Sequence, residues 1–271
     1  MLRPEATDAV DEPQLEARIE AYAADDGAAT RRAEEIYLDG HPGEAAPLFE
    51  KALSHAGQAA RSYLAQRLAA ASMEVELATG AQVRFLPASG LAGWTPLLGR
   101  WVVEQDGALL GTSGMMGLMI IADARVGSDF EIDADVEIAS TSNGQFQAGI
   151  LFGETPSFWS QRWSSFRVKK TAHEGEVVYF SKHLYRPEHV VKRAVPLRNR
   201  VVIQSWKGRL SAWVNGDEVV RDYAPEWNPP GTADGQVGFG AYLDDNTFSV
   251  RYRDVKIRRL TAPPLPSAPS R

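Results

Sequence analysis

Ten consecutive residues, Asp129-Phe-Glu-Ile-Asp-Ala-Asp-Val-Glu-Ile138, alternate between acids and apolar side chains without a break. Successive side chains of an extended strand point to opposite faces. Asp129, Glu131, Asp133, Asp135 and Glu137 therefore share one face, and Phe130, Ile132, Ala134, Val136 and Ile138 share the other. Same-face neighbours on a strand stand about 6.6 Å apart at Cα. Carboxyl groups about 5–5.5 Å apart suit a retaining glycosidic cleavage, and about 6.5–9.5 Å an inverting one. Glu131, Asp133 and Asp135 are thus candidate catalytic acids. The same alternation equally describes a strand with one buried face and one solvated, salt-bridged face.

A second group of residues has the chemistry of binding. Ser157-Phe-Trp-Ser-Gln-Arg-Trp163 crowds three aromatic rings and an arginine between two strand-like segments. Rings such as Trp159 and Trp163 can stack on the apolar face of a sugar, while Arg162 can bond its hydroxyls, and loops on a rigid scaffold gather such residues. Alternatively these rings cap the open end of a sandwich. In Gln147-Ala-Gly-Ile-Leu-Phe-Gly153, alternation sends Ala148, Ile150 and Phe152 to the core and Gln147, Gly149, Leu151 and Gly153 to the other face. Phe166-Arg-Val-Lys-Lys170 offers Arg167 and Lys169 on one face. Both could bind a ligand, or pair across strands with the acidic strand for about 0.2–1 kcal/mol each. The ligand-binding candidates are Gln147, Trp159, Arg162, Trp163, Arg167 and Lys169.

Other chemistries lack their residues. There is no cysteine, which removes disulfides, Cys-ligated zinc and thiolate nucleophiles. The five histidines, His41, His55, His173, His183 and His189, show no HExxH spacing, so no metal site is expected. Asp244-Asp-Asn246 could hold Ca²⁺, or form a plain turn; no other cofactor is suggested. No Gly-x-Ser-x-Gly elbow is present. The glycines of Gly235-Gln-Val-Gly-Phe-Gly240 lie in a strand pattern with no helix following, unlike a phosphate-binding loop. A net charge of −6 counts against non-specific nucleic-acid binding. No apolar run approaches the roughly 18 residues of a membrane span. Met1–Asp8 has no apolar stretch of a signal peptide. The sequence as it stands reads as cytoplasmic.

The elements that must position these groups fall into two parts. Residues 1–80 hold 7 Lys+Arg and 15 Asp+Glu, a net of −8, while the remainder carries a net of +2. The first part is rich in helix formers, the second in β-branched, aromatic and glycine residues. After a disordered stretch over 1–12, a helical module is expected over 13–80. Leu15, Ile19 and Tyr22 mark one helical face, and further helices span 31–38, 44–55 and a segment after Gly57 in which Tyr63, Leu64, Leu68, Ala71 and Val75 keep the 3.6 period. From Gln82 the period changes to 2, and some fourteen short strands follow up to about residue 259, with no strand–helix–strand alternation. Asn215-Gly216 and Asp106-Gly107 sit between strands as hairpin signals. The Pro/Ser-rich segment 261–271 reads as a disordered tail. The fold class is mainly β: a two-sheet antiparallel jelly-roll sandwich over 81–260 behind a small all-α module.

Two resemblances sharpen this. Gly40-His-Pro-Gly-Glu-Ala-Ala-Pro-Leu-Phe-Glu-Lys-Ala-Leu53 resembles the first helix of a tetratricopeptide repeat, which implies a scaffold or a docking surface for a protein partner. The ordered series Gly93-Trp94, Gly99-Arg-Trp-Val-Val, Ser128-Asp-Phe-Glu-Ile, Ala148-Gly-Ile-Leu-Phe, Gly208-Arg-Leu-Ser-Ala-Trp-Val-Asn-Gly216, Gly235-Gln-Val-Gly-Phe-Gly-Ala-Tyr and Val250-Arg-Tyr-Arg-Asp-Val-Lys-Ile resembles concanavalin A-like, laminin-G-like jelly rolls. Residues 83–260 are most similar to the bacterial 3-keto-disaccharide hydrolase family. That resemblance implies a saccharide site on the concave sheet. Glu131-Ile-Asp133-Ala-Asp135 is similar to the Glu-x-Asp-x-Glu strand of jelly-roll β-glucanases, with Asp135 where the second Glu is expected. The keto-sugar family's Asn and Arg are replaced here by Gln147 and Gly153. The expected function is therefore saccharide recognition. The alternatives are a glycoside hydrolase acting on a 3-keto-disaccharide or related sugar, and a non-catalytic interaction protein.

Overall fold

The computed structural model describes residues 27–88, 90–113, 117–153, 163–182, 186–224, 235–241 and 247–264, without the side chains of 153, 163, 181–182 and 186–188. The expected first helical face, Leu15 to Tyr22, lies outside them, as do His183 and Asp244–Asn246. The chain divides into two compact units, Met1–Ser72 and Met73–Arg271.

The first unit is built from helices. α1 covers 27–38, α2 is Pro42–His55 and α3 is Gln58–Ala78. Gly40, at φ +89°, turns the chain between α1 and α2, and Pro42 opens α2, where a missing N–H costs nothing. Ala33, Tyr37, Ala45, Phe49, Ala52, Leu64, Ala70 and Ala71 form one buried cluster. Arg67 crosses it: its Nε donates to Glu34 at 2.8 Å, the Tyr63 hydroxyl donates to the same carboxylate at 2.7 Å, and the guanidinium lies 4.8 Å from the Tyr37 ring centre.

α3 continues beyond Ser72. The expected buried stripe included Val75, which is exposed; Leu77 and Glu74 are buried instead, because the inward stripe of the last turns follows 70, 74 and 77. Leu77 joins the sandwich core. Glu74 accepts from the Arg125 backbone N–H at 2.9 Å and from its Nε at 3.1 Å. A fragment of residues 73–264 is expected to unfold in one cooperative urea transition. A fragment starting at Ala81 should be less stable by about 3 kcal/mol, the scale of emptying a buried leucine site. Equal midpoints would contradict this assignment.

The sandwich comprises β1 (Val83–Arg84), β2 (Trp94–Leu98), β3 (Arg100–Val103), β4 (Leu109–Thr112), β5 (Leu118–Ala122), β6 (Phe130–Thr141), β7 (Phe146–Gly153) and β8 (Trp163–Thr171). It continues through β9 (Gly175–Lys182), β10 (Arg186–Lys192), β11 (Arg198–Trp206), β12 (Arg209–Val214), β13 (Asp217–Tyr223), β14 (Gln236–Ala241) and β15 (Phe248–Arg259). One antiparallel sheet runs β13-β12-β11-β6-β15-β4-β3, with β1 added to β15; the other runs β10-β9-β8-β7-β14-β5-β2. The architecture is a two-sheet antiparallel jelly-roll sandwich. Asn215-Gly216 makes the expected two-residue turn between β12 and β13, with both residues at positive φ. Lys207-Gly208 makes another between β11 and β12. Asp106-Gly107 instead lies in a five-residue connection, closed by the Glu104 N–H donating to Ala108 O at 2.8 Å.

The core between the sheets takes alternate residues of each. β6 gives Phe130, Ile132, Ala134, Val136 and Ile138; β7 gives Phe146, Ala148, Ile150 and Phe152; β8 gives Phe166 and Val168. Trp94 stacks on Phe239 at 5.3 Å, and Phe239 on Tyr252 at 4.3 Å, which ties the two sheets together.

Candidate ligand-binding face

β6 lies at the centre of the eight-stranded sheet, and its acids face away from the core toward cations on both neighbouring strands. Register places Arg198, Arg200 and Gln204 of β11 opposite Glu137, Asp135 and Glu131. On β15, Arg251, Arg253, Lys256 and Arg258 oppose Glu137, Asp135, Asp133 and Glu131. Arg198 Nε donates to both Asp135 oxygens at 3.0 and 3.1 Å. Arg200 reaches Asp133 at 2.5 Å. Glu131 accepts from Gln204 at 2.7 Å and Arg258 at 3.0 Å, and Glu137 from Arg251 at 2.8 Å. The carboxylates strengthen the charge of their partners: Asp135 holds Arg198, and Glu104 holds Arg251, above the usual guanidinium range. Three of these cations stand in solvent, with the side chains of Arg198, Arg200 and Arg258 63%, 53% and 41% exposed.

Gln147, Arg167 and Lys169 belong to the other sheet. The expected pairing of Arg167 and Lys169 with the acidic strand does not form, because β8 pairs with β7 and β9 and lies across the core from β6. The three acids and these three candidates thus occupy opposite sides of the sandwich. Four side chains at the middle of the outer face of the seven-stranded sheet are withdrawn from solvent: Arg167 is 1% exposed, Gln147 3%, Tyr179 5% and Ser165 0%. Register sets Gln147 beside Lys169, and Arg167 between Gly149 and Tyr179. Gln147 Nε2 donates to the Tyr179 hydroxyl oxygen at 2.5 Å, and Arg167 Nε to Ser165 Oγ at 2.7 Å. Lys169 pairs with Glu174 and lies 5.9 Å from the Tyr179 ring centre.

The other half of this face is apolar. Met119, Ile121 and Leu151 form a separate buried cluster, with Leu97 and Leu98 packed against it. Gln236 begins the β14 row of the same face. Its Nε2 donates to Ala122 O at 3.2 Å. Its Oε1 is shielded from solvent and accepts no hydrogen bond among the described residues. Beneath the face, the Tyr252 hydroxyl crosses the core to donate to Gly149 O at 3.1 Å. Burial pushes that phenol well above its ordinary range, against the pull of the Arg167 charge, so it remains a donor.

Ser165, Tyr179, Met119, Ile121 and Gln236 were not among the sequence candidates. For Met119, Ile121 and Tyr179 the signal was the continuous apolar run: Leu118-Met-Ile-Ile-Ala122 and Val177-Val-Tyr-Phe180 lack the polar alternation of a half-solvated strand, as strands buried on both faces do. Trp159 and Arg162 lie outside the described residues, and Trp163 opens β8 without a described side chain. No cluster of three or more metal-ligating side chains occurs among the described residues. Among them also, no helix is long and apolar enough to cross a membrane.

No protein-family model matches this sequence, and no curated protein matches it. Solved structures do resemble the sandwich. A carbohydrate-binding module from Bacillus subtilis superposes with a TM-score of 0.46 at 17% identity, covering 63% of this chain and 98% of its own. The carbohydrate recognition domain of Emp47p gives 0.47 at 10% identity, covering 66% and 94%. The β-glucanase of Bacillus licheniformis gives 0.46 at 8% identity, covering 67% and 100%. The architecture stated above rests on the strand pairing of this chain itself.

Proposed function

We propose that the protein binds a saccharide on the outer face of the seven-stranded sheet. The observation that carries this reading is the burial of Gln147, Ser165, Arg167 and Tyr179 on a sheet face turned away from the core. Burying polar and charged groups is costly unless they are bonded, and a sandwich does not need them there. Recessed sites that mix an apolar lining with a few fixed polar groups are typical of small-ligand recognition. A sugar ring has apolar C–H faces and hydroxyls that both donate and accept. The face sets the polar groups of Arg167, Gln147 and Gln236 beside an apolar patch at Met119, Ile121 and Leu151. The sequence resemblance to concanavalin A-like jelly rolls supports the same ligand class. Trp159, Arg162 and Trp163, which lie between the two strands in sequence, belong to this proposal as further ligand-binding residues by their chemistry. The helical unit, with its own core, serves as scaffold or docking surface.

The test is a panel of methyl pyranosides and β-linked disaccharides read by ligand-induced thermal stabilisation, which follows mass action. At least one sugar is expected to raise the melting temperature of the protein. Glu131→Gln and Asp133→Asn should respond to that sugar as the parent does, because these acids face the opposite side, and hydrolysis of the panel should stay at background. Trp159→Ala should weaken the response by roughly fivefold, the worth of about 1 kcal/mol from one stacked ring. A panel without any stabilising member would remove the proposal. Sugar turnover abolished by Glu131→Gln would move the site to the eight-stranded sheet.

A further inference from the structure

Arg167 is a long side chain on a crowded face, and something must make room for it. Its cross-strand neighbour on β7 is Gly149, and the neighbour of Gly149 on β14 is Gly240. Two glycines therefore stand side by side in the middle of the face. A Cβ built on Gly149 would lie 3.0 Å from Arg167 Cγ, 3.0 Å from Phe166 O and 3.1 Å from Gly240 O. A Cβ on Gly240 would lie 2.8 Å from Leu151 Cδ1 and 3.0 Å from Leu118 O. The gap is already filled, by the arginine stem over one glycine and the leucine over the other.

We propose that Gly149 is a positioning residue: its missing side chain seats the stem of Arg167 flat on β7, and this sets where the guanidinium stands on the face. The inference rests on the saccharide reading for its functional meaning, but its geometry does not. Gly149 is bordered by two main-chain oxygens held in the sheet, so an added methyl group cannot be relieved by the backbone. The movable neighbour is the arginine. Gly240 seats Leu151 in the same way and so serves as the comparison site, touching the apolar half of the face and not the charged one.

The experiment is a stability and exchange cycle on the full chain without ligand. The variants are Gly149→Ala, Arg167→Ala, their combination, and Gly240→Ala. The Arg167 Nε–H resonance, identified by its loss in Arg167→Ala, should exchange with water at least about tenfold faster in Gly149→Ala, because the bond to Ser165 opens with local displacement of the stem. In Gly240→Ala it should stay near the parental rate. If Gly149→Ala does not fold alone, the double variant decides. Residues in direct contact are non-additive, so removing the stem should give a folded protein, melting below Arg167→Ala only by the strain left against Phe166 O and Gly240 O. A double variant that stays unfolded, or an unchanged Nε–H exchange rate in a folded Gly149→Ala, would overturn the proposal, since the added methyl would then strike only the backbone. The methyl pyranoside panel separates the two ideas. Failure of every sugar to bind the parent sinks the saccharide reading and leaves the exchange result standing. A sugar that binds the parent but binds Gly149→Ala equally well sinks the positioning role alone.

Discussion

Gly238→Ala is expected to cost about 4 kcal/mol or more, at the top of the range for single substitutions that overpack an interior. A Cβ at this position would stand 2.3 Å from Ile120 O and 3.1 Å from Ile121 Cα. Both belong to the main chain of β5, which pairs with β14 at this point, Gly238 opposite Ile121. A flexible side chain could swing aside, but a strand backbone held in its ladder cannot. On the other side Gly238 faces Leu151, which is itself buried against Met119 and Ile121. Glycine inside a strand ordinarily weakens it, and its presence marks a close approach of backbone. Urea unfolding of the purified variant should show a midpoint far below that of the parent, or no folded baseline. A midpoint shift worth less than about 1 kcal/mol would mean that β5 and β14 are not this close.

Arg167→Met should lower the affinity for any sugar found by the panel by about 100-fold, or about 2.7 kcal/mol. Methionine keeps an unbranched stem over Gly149 and deletes only the guanidinium. Removing a charged donor from a desolvated contact typically costs about 2–5 kcal/mol of binding, much of it from the ligand group left without a partner. Stability should change far less. Replacing a buried ionic group by an apolar one of similar volume is often neutral or better, and Ser165 loses one bond whose net worth is about 1 kcal/mol. Titration calorimetry and thermal unfolding on the same sample separate the two effects. Unchanged affinity would show that Arg167 is a packing residue, and a collapse in stability would show that its charge holds the sheet together.

Much of the architecture was legible because side-chain period reports burial. The 129–138 segment alternates strictly, and β6 buries one face and solvates the other as that pattern requires. Asn215-Gly216 demanded positive φ at both positions and has it. What one strand's pattern could not give was its partner. Arg167 and Lys169 looked like suitable cations for the acidic strand, but its partners are Arg198, Arg200, Arg251 and Arg258. Choosing between them is a question of sheet order, which depends on the whole chain. The strand at Trp94–Leu98 was hidden by Pro96 at its centre, which is tolerated because β2 is an edge strand. The boundary near residue 80 followed composition, whereas the last turns of α3 follow packing: Leu77 is buried with the sandwich core, although nothing distinguishes it in sequence from the leucines before it. The recessed face was half legible. Alternation put Gln147, Gly149 and Leu151 on the outer side of β7, but Tyr179 gave no chemical signal beyond the apolar run around it and Ser165 gave none.

The measurement closest to the central claim is amide hydrogen exchange on the full chain, with and without the sugar that stabilises it most. Slower exchange is expected in β7, β8 and β9, over residues 146–153, 163–171 and 175–182, with β6 and β11 unchanged. Protection confined to 130–141 and 198–206 would put the ligand on the salt-bridged sheet and contradict the assignment of the recessed face as the binding site.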